Sequence, residues 1–207
     1  MNRLPAVIVS CVIAYLLGSV SSGIIVSRIA KGPDLRTVGS RNTGASNVQR
    51  TMGWKYGLIT FFADALKGIL SCFLASLLTG DHMAALPAGL CCVIGHNWPV
   101  FFGFRGGKGV ATTGGVMLYC FPVPALFCIA GTILLIVVFR YISLGSLFLV
   151  LSFAIASVFF SNGNIWIIAW AFILMVMCAV RHHANIGRLL KGTENKLGKH
   201  SSERRNP

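Results

Sequence analysis

GVATTGGVMLYCF, residues 109–121, decides the fold. The stretch is apolar enough to enter a membrane, yet at 1.5 Å per residue a helix of that length covers only about two-thirds of a ~30 Å hydrocarbon core. Six other runs, 4–28, 55–79, 84–104, 123–140, 142–160 and 164–181, come close to the ~20 apolar residues a span requires. Counting residues 109–121 gives seven spans; omitting them gives six.

Charge decides the count. Of 18 Lys and Arg, six lie between Arg28 and Lys55, two are Arg105 and Lys108, one is Arg140, and seven follow from Arg181 onward. With seven spans and the amino terminus outside, all sixteen fall on the cytoplasmic side, leaving Arg3 outside and Lys67 within a span. Six spans would move every cation after residue 109 to the opposite face, against the positive-inside bias. The expected fold is therefore an all-α integral membrane protein of seven transmembrane helices, N-terminus outside, C-terminus cytoplasmic. Its polar loops re-enter from the cytoplasmic side, where irregular backbone is tolerated only when buried in protein or lining water.

Composition agrees. The 207 residues are 55% hydrophobic and 11% charged, with a mean hydropathy of +0.76, which excludes an ordinary soluble domain. The net charge of +13 could signal nucleic acid, but in an apolar chain it reports cytoplasmic loops and anionic ligands or lipids. The amino-terminal run continues to about Ala30 without a small-residue cleavage site, so it reads as a retained first helix rather than a leader. The seven cysteines sit in apolar runs without metal-ligand spacing and read as small hydrophobes; no metal or cofactor is expected. Residues 1–198 are expected to form one domain and 199–207 a basic cytoplasmic tail.

Just before the short span stands GFRGGKG, 103–109. It is not a P-loop, because Gly107-Lys108 is followed by Gly109, and not a dinucleotide fingerprint, because no strand precedes it. What it shares with those motifs is physics: glycine amides, a following helix N-terminus and the Lys108 charge can converge on an oxyanion. Glycines in membrane helices otherwise serve close packing, which accounts for Gly114 and Gly115. Packing leaves the two cations of RGGKG stranded at membrane depth, so anion binding is the better reading.

Two more polar stretches fall on the same side. Residues 32–53 interleave Arg36, Arg41 and Arg50 with Ser40, Asn42, Thr43 and Asn47, a composition suited to a ligand bearing both phosphate and hydroxyls. Residues 181–198 place His182 and Asn185 three apart, one helix face. His182 reads as a general base, a phosphate ligand or a polar helix end. Asp64 and Lys67, three apart within a span, are expected to neutralise each other. In HNWP, 96–99, His96 and Asn97 are expected to reach the ligand, with Trp98 an interface anchor and Pro99 a helix stop. There is no nucleophile elbow, and position five after every histidine lacks Asp, which excludes the H-x-x-x-x-D acyltransferases.

GSRNTGASNVQR (39–50), GHNWPVFFGFRGGKGVA (95–111) and RHHANIGRLLKGTENK (181–196) together resemble, in order and spacing, the motifs of the bacterial acyl-phosphate:glycerol-3-phosphate acyltransferase family. The resemblance extends to DALKG (64–68) and RYISLGS (140–146). It implies a seven-helix inner-membrane enzyme whose active site faces the cytoplasm. The implied reaction is acyl transfer from acyl phosphate to the 1-hydroxyl of glycerol 3-phosphate, giving lysophosphatidic acid and phosphate, the first step of phospholipid synthesis. An activated donor also explains the missing nucleophile. Carried over, the resemblance makes Ser40, Lys108, His182 and Asn185 catalytic. It makes Asn42, Asn47, Arg50, Gly106, Gly107, Gly109, Ser143 and Glu194 substrate-binding. The glycine loop is expected to hold the phosphate of the acyl phosphate, and either His182 or the departing phosphate takes the hydroxyl proton. Arg41 and Ser46 stand where glycine and threonine are commoner in the family. Implied partners are the two substrates and membrane lipid, with no nucleic acid. A rival reading is a transporter or channel for a phosphorylated metabolite, weakened by the absence of an inverted repeat.

Overall fold

The computed structural model describes residues 3–198, so the proposed tail at 199–207 lies outside the described residues. Among the described residues the chain is helical, without a strand: α1 Leu4–Ser19, α2 Ser22–Ile29, α3 Ala45–Met52, α4 Trp54–Thr79, α5 Ala85–Asn97, α6 Val110–Cys120, α7 Pro122–Phe139, α8 Ile142–Phe160, α9 Ile165–Arg181 and α10 His183–Leu190. Five stretches among them are long and apolar enough to cross a membrane: Leu4–Ile29, Trp54–Thr79, His82–Phe102, Pro122–Phe139 and Ile142–Phe160. A sixth is added if α9 and α10, bent by 68°, are taken together. α6, at 11 residues, is shorter.

Large apolar side chains such as Phe62, Phe127, Val137 and Phe159 face outward, as expected where the solvent is lipid. Inside, Cys72, Val116, Met117, Phe153, Trp170 and Leu174 form a continuous core, and the Trp170 indole N–H donates to the Leu86 carbonyl at 2.9 Å. Five of the cysteines, Cys72, Cys92, Cys120, Cys128 and Cys178, are buried as free thiols, consistent with small hydrophobes.

The short helix α6 occupies the middle of the bundle. Thr112, Thr113, Gly115, Val116 and Met117 are all buried. A Cβ on Gly115 would lie 2.0 Å from the Ala65 carbonyl, and one on Gly68 would lie 2.4 Å from the Thr112 carbonyl, so α4 and α6 meet backbone to backbone. Gly114 behaves differently: a Cβ there would meet nothing within 4 Å, so packing explains only one member of the pair. α6 starts at the glycine loop and ends where Tyr119 stacks on His82 and Phe121 packs on Phe160, at the opposite end of the neighbouring helices.

The first run is not one straight helix. It breaks at Val20 and Ser21, within a Gly-Ser-Val-Ser-Ser-Gly stretch whose small residues do little to hold a helix together. The freed Val20 carbonyl accepts from Lys67 Nζ at 2.9 Å, which satisfies it inside the bundle. α5 stops at Asn97 because Pro99 follows, and Trp98 packs its ring 5.3 Å from the Arg181 guanidinium.

Candidate active site

The polar stretch 32–53 folds around one side chain. Asn47, 1% exposed, donates through Nδ2 to the carbonyls of Leu35, Val38 and Asn42 at 3.1, 3.2 and 2.8 Å, while its Oδ1 accepts from the Ser40 amide at 2.8 Å. These bonds satisfy backbone groups that a loop at the membrane surface would otherwise leave open. Leu35 and Val48 seal the underside. The loop is thereby held with Ser40, Arg41, Asn42 and Arg50 on its outer wall. Arg41 adopts φ +55°, a left-handed conformation that favours glycine.

The glycine loop sits against that wall. Asn42 Nδ2 donates to the Gly106 carbonyl at 3.2 Å, and Arg181 donates to the Gly107 carbonyl through Nε at 3.1 Å and Nη2 at 2.7 Å. From beneath, the Gly107 amide donates to the His96 carbonyl at 3.0 Å. No side chain fits at this point: a Cβ on Gly106 would lie 2.1 Å from the His96 carbonyl oxygen, and one on Gly107 would lie 1.9 Å from His96 Nε2. Gly109, at φ +79°, turns the chain into α6. Gly107→Ala is therefore expected to push the loop off His96 at a cost of about 1–3 kcal/mol. Turnover should fall while the far core stays folded, as checked by activity and thermal unfolding of the purified variant.

The third stretch completes the wall. α9 ends at Arg181, and the chain bends by 68° into α10. Lys108 Nζ donates to Asn185 Oδ1, and Asn185 Nδ2 donates to Glu194 Oε1 at 3.1 Å. Glu194 Oε2 accepts from Arg188 Nε at 2.8 Å. The segment carrying Glu194 is pinned beyond it, where the Leu197 amide donates to the Arg140 carbonyl at 2.6 Å and Lys196 lies over the Tyr141 ring.

These three walls enclose a cleft of about 1310 Å³ into which eight cations project, including Arg41, Arg50, Arg105, Lys108 and Arg188, against one carboxylate, Glu194. Such an excess of positive charge on converging walls is an anion site with room for more than one phosphate. Burial and the nearby Arg188 bring Lys108 down to about 8, partly offset by Glu194. His182 turns inward, 3% exposed, with Nδ1 2.9 Å from the Cys178 carbonyl. A carbonyl only accepts, so Nδ1 carries the proton and Nε2 keeps its lone pair. Burial and the Lys108 charge lower this histidine to about 4.

Of the residues singled out in the sequence, Ser40, Asn42, Arg50, Gly106, Lys108, Asn185 and Glu194 line the cleft together. Asn47, Gly107, Gly109 and His182 are buried behind its wall. Ser143 is buried in the first turn of α8, next to the lining residue Ile142, and its hydroxyl has no partner among the described residues. His96 and Asn97, expected to reach the ligand, do not: both are buried, and His96 Nδ1 instead faces Lys67 at 3.0 Å. Lys67 and Asp64 pair at 2.8 Å, as their spacing indicates. Sequence reasoning missed the clamp made by Arg181, whose only signal is its place directly before His182.

A family model described as glycerol-3-phosphate acyltransferase matches residues 8–192. Curated relatives bearing that name include one from Alkaliphilus metalliredigens, 41% identical over 189 residues and covering 91% of this chain and 95% of the relative. One from Clostridioides difficile is 43% identical over 196 residues, covering 92% and 95%. One from Neisseria meningitidis is 41% identical over 203 residues, covering 96% and 98%. Among solved structures, the glycerol 3-phosphate form of PlsY, an integral membrane glycerol 3-phosphate acyltransferase, matches with a TM-score of 0.87 at 38% identity, covering 96% of this chain and 99% of that one. The lysophosphatidic acid form matches with a TM-score of 0.84. With its three polar stretches folded into one cationic cleft and its similarity running nearly end to end, the chain belongs to the glycerol-3-phosphate acyltransferase family.

Proposed function

We propose that this protein transfers a fatty acyl group from acyl phosphate to the 1-hydroxyl of glycerol 3-phosphate, releasing lysophosphatidic acid and inorganic phosphate. The observation that carries the reading is the cleft: many cations, one carboxylate and no cysteine along its lining. Two phosphates must be neutralised together, and an acyl phosphate needs only positioning and charge stabilisation to react. Lys108, beside Gly106 on the cleft wall, holds the phosphate of the acyl phosphate, with the acyl chain in the bilayer, while the buried Gly107 and Gly109 shape the turn that carries it. Arg50 and Arg188 hold that of glycerol 3-phosphate. Ser40 and Asn185 orient the attacking hydroxyl, assisted by the His182 Nε2 lone pair and the Ser143 hydroxyl. Asn42 and Asn47 shape the wall, and Glu194 holds Asn185 in place.

The hydroxyl oxygen attacks the acyl carbon, the bond from that carbon to the phosphate oxygen breaks, and the hydroxyl proton goes to the departing phosphate. His182 is buried with its Nδ1 proton on the Cys178 carbonyl, so its part is orientation. Palmitoyl phosphate is expected to support product formation and a palmitoyl thioester is not. Equal use of the thioester would overturn the donor assignment.

We further propose seven spans with the amino terminus outside and the cleft in the cytoplasm of a bacterial inner membrane. Support comes from α6, which joins the two ends of the bundle, and from the segments carrying thirteen of the fifteen cations among the described residues, which leave the bundle at the cleft end. Residues 1–198 act as one domain.

The pH dependence follows from Lys108. The ammonium is the form that binds phosphate, and with its value lowered to about 8 that form is lost as pH rises through 8. Affinity should therefore be flat from pH 6.5 to 7.5 and weaken above about 8, by up to about tenfold per unit until the bound-state value is reached. Isothermal titration with glycerol 3-phosphate and a non-hydrolysable acyl phosphonate checks it; an unchanged affinity for the phosphonate at pH 9.5 would remove Lys108 from the donor site.

A further inference from the structure

Behind the glycine loop lies a second polar cluster, within the membrane part of the bundle, that the reaction scheme does not use. The Lys67 ammonium sits within 3.0 Å of three acceptors: Asp64 Oδ1 at 2.8 Å, the Val20 carbonyl at 2.9 Å and His96 Nδ1 at 3.0 Å. An ammonium has hydrogens to give and no lone pair, so His96 Nδ1, 3.0 Å from it, accepts, although Asp64 Oδ1 also lies 3.5 Å from the same ring nitrogen. The ring is thereby fixed as the tautomer protonated on Nε2. That edge is the one pressed against Gly107, while the His96 carbonyl takes the Gly107 amide at 3.0 Å. Lys67 and Asp64 come from α4, His96 from the end of α5 and Val20 from the break between α1 and α2, so four elements meet under one turn of loop. Asp64 is 1% exposed, Lys67 8% and His96 7%. An ion pair kept that far from water is costly unless fully partnered, and a purely apolar contact would serve packing at least as well.

We propose that Lys67, with Asp64, is a positioning residue for acyl transfer. It locks the His96 tautomer and ring, His96 sets the backbone at Gly107, and Gly107 in turn aims Lys108 at the reacting phosphate. The inference rests on the transferase reading for its kinetic part, whereas the tautomer is a property of the resting protein.

The test uses the full-length protein in lipid nanodiscs. Lys67→Met alone strands the Asp64 carboxylate, so the charges are removed together in Asp64→Asn/Lys67→Met. In wild type, 15N-histidine NMR should show His96, identified by the loss of its signal in His96→Gln, as a single neutral tautomer protonated on Nε2. In the double variant the two tautomers should mix. Turnover in that variant should fall about ten- to a hundredfold, since displacement of a binding group by ~1 Å is enough for such a loss. On a Lys108→Ala background the same pair should cost no more than about a further twofold, because the cluster acts through Lys108. His96→Gln, which keeps a donor toward Gly107, should retain more turnover than His96→Leu at equal thermal stability; this pair decides the matter if the double variant does not fold. A wild-type proton on Nδ1, multiplying losses on the Lys108→Ala background, or equal loss in His96→Gln and His96→Leu overturns the proposal. Failure of the transferase reading shows separately, as absence of lysophosphatidic acid from the wild type.

Discussion

Lys108→Ala is expected to lower turnover by about two to three orders of magnitude, the loss typical when one preorganised donor to a developing oxyanion is removed. The side chain is half-buried, its ammonium is aimed by Asn185 Oδ1, and it stands at the mouth of α6 where the helix adds its own positive end. Nothing packs on Lys108 as a core residue, so the variant should unfold at the wild-type temperature. The measurement is steady-state kinetics with palmitoyl phosphate, together with a melting curve. Turnover within a factor of about three of wild type would mean that the glycine loop does not hold the reacting phosphate.

Glu194→Gln is expected to lower turnover by about ten- to a hundredfold, for the opposite electrostatic reason. Glu194 is 4% exposed and is the one carboxylate facing the cleft. Its two oxygens hold Asn185 and Arg188, and its charge offsets those of Lys108 and Arg50. Glutamine keeps the shape, but its amide N–H₂ meets either the Asn185 amide or the Arg188 guanidinium, donor against donor. Asn185 is then free to turn away from Lys108, and three cations crowd the site unopposed. Stability should fall by only about 1 kcal/mol, because the Arg188 side chain is 36% exposed and water screens the pair. A variant with wild-type kinetics would show that Asn185 needs no anchor.

Much of this site is legible in the sequence because charge and span parity act over the whole chain. The positive-inside bias asks the cation-bearing stretches 32–53, 103–109 and 181–198 to lie at one end, and they form one cleft. Residue types also predicted the Asp64–Lys67 pair, since three residues on a helix leave two such groups no better partner within the membrane. What the sequence hid are contacts between elements distant in the chain. His96 sits in a polar tetrapeptide beside the loop and so reads as a ligand contact, yet its partner Lys67 is 29 residues away on another helix. Asn47 reads as one more hydrogen-bonding group in a polar loop, although four backbone groups converge on it. The break at Val20 lies inside a run whose hydropathy is that of an unbroken span; only the lysine that occupies the freed carbonyl gives it a purpose. Gly114 and Gly115 are alike in sequence, and only the position of Ala65 separates the packed one from the open one.

Direct transfer within this cleft is the central claim, and single-turnover mass spectrometry tests it most directly. Purified protein in lipid is mixed with one equivalent of palmitoyl phosphate and excess glycerol 3-phosphate, then quenched over a time course. The prediction is that lysophosphatidic acid and inorganic phosphate appear one for one, in the same exponential phase, with the protein mass unchanged throughout. A protein carrying an added palmitoyl group that decays into product, or the absence of product while both ligands bind, would contradict it.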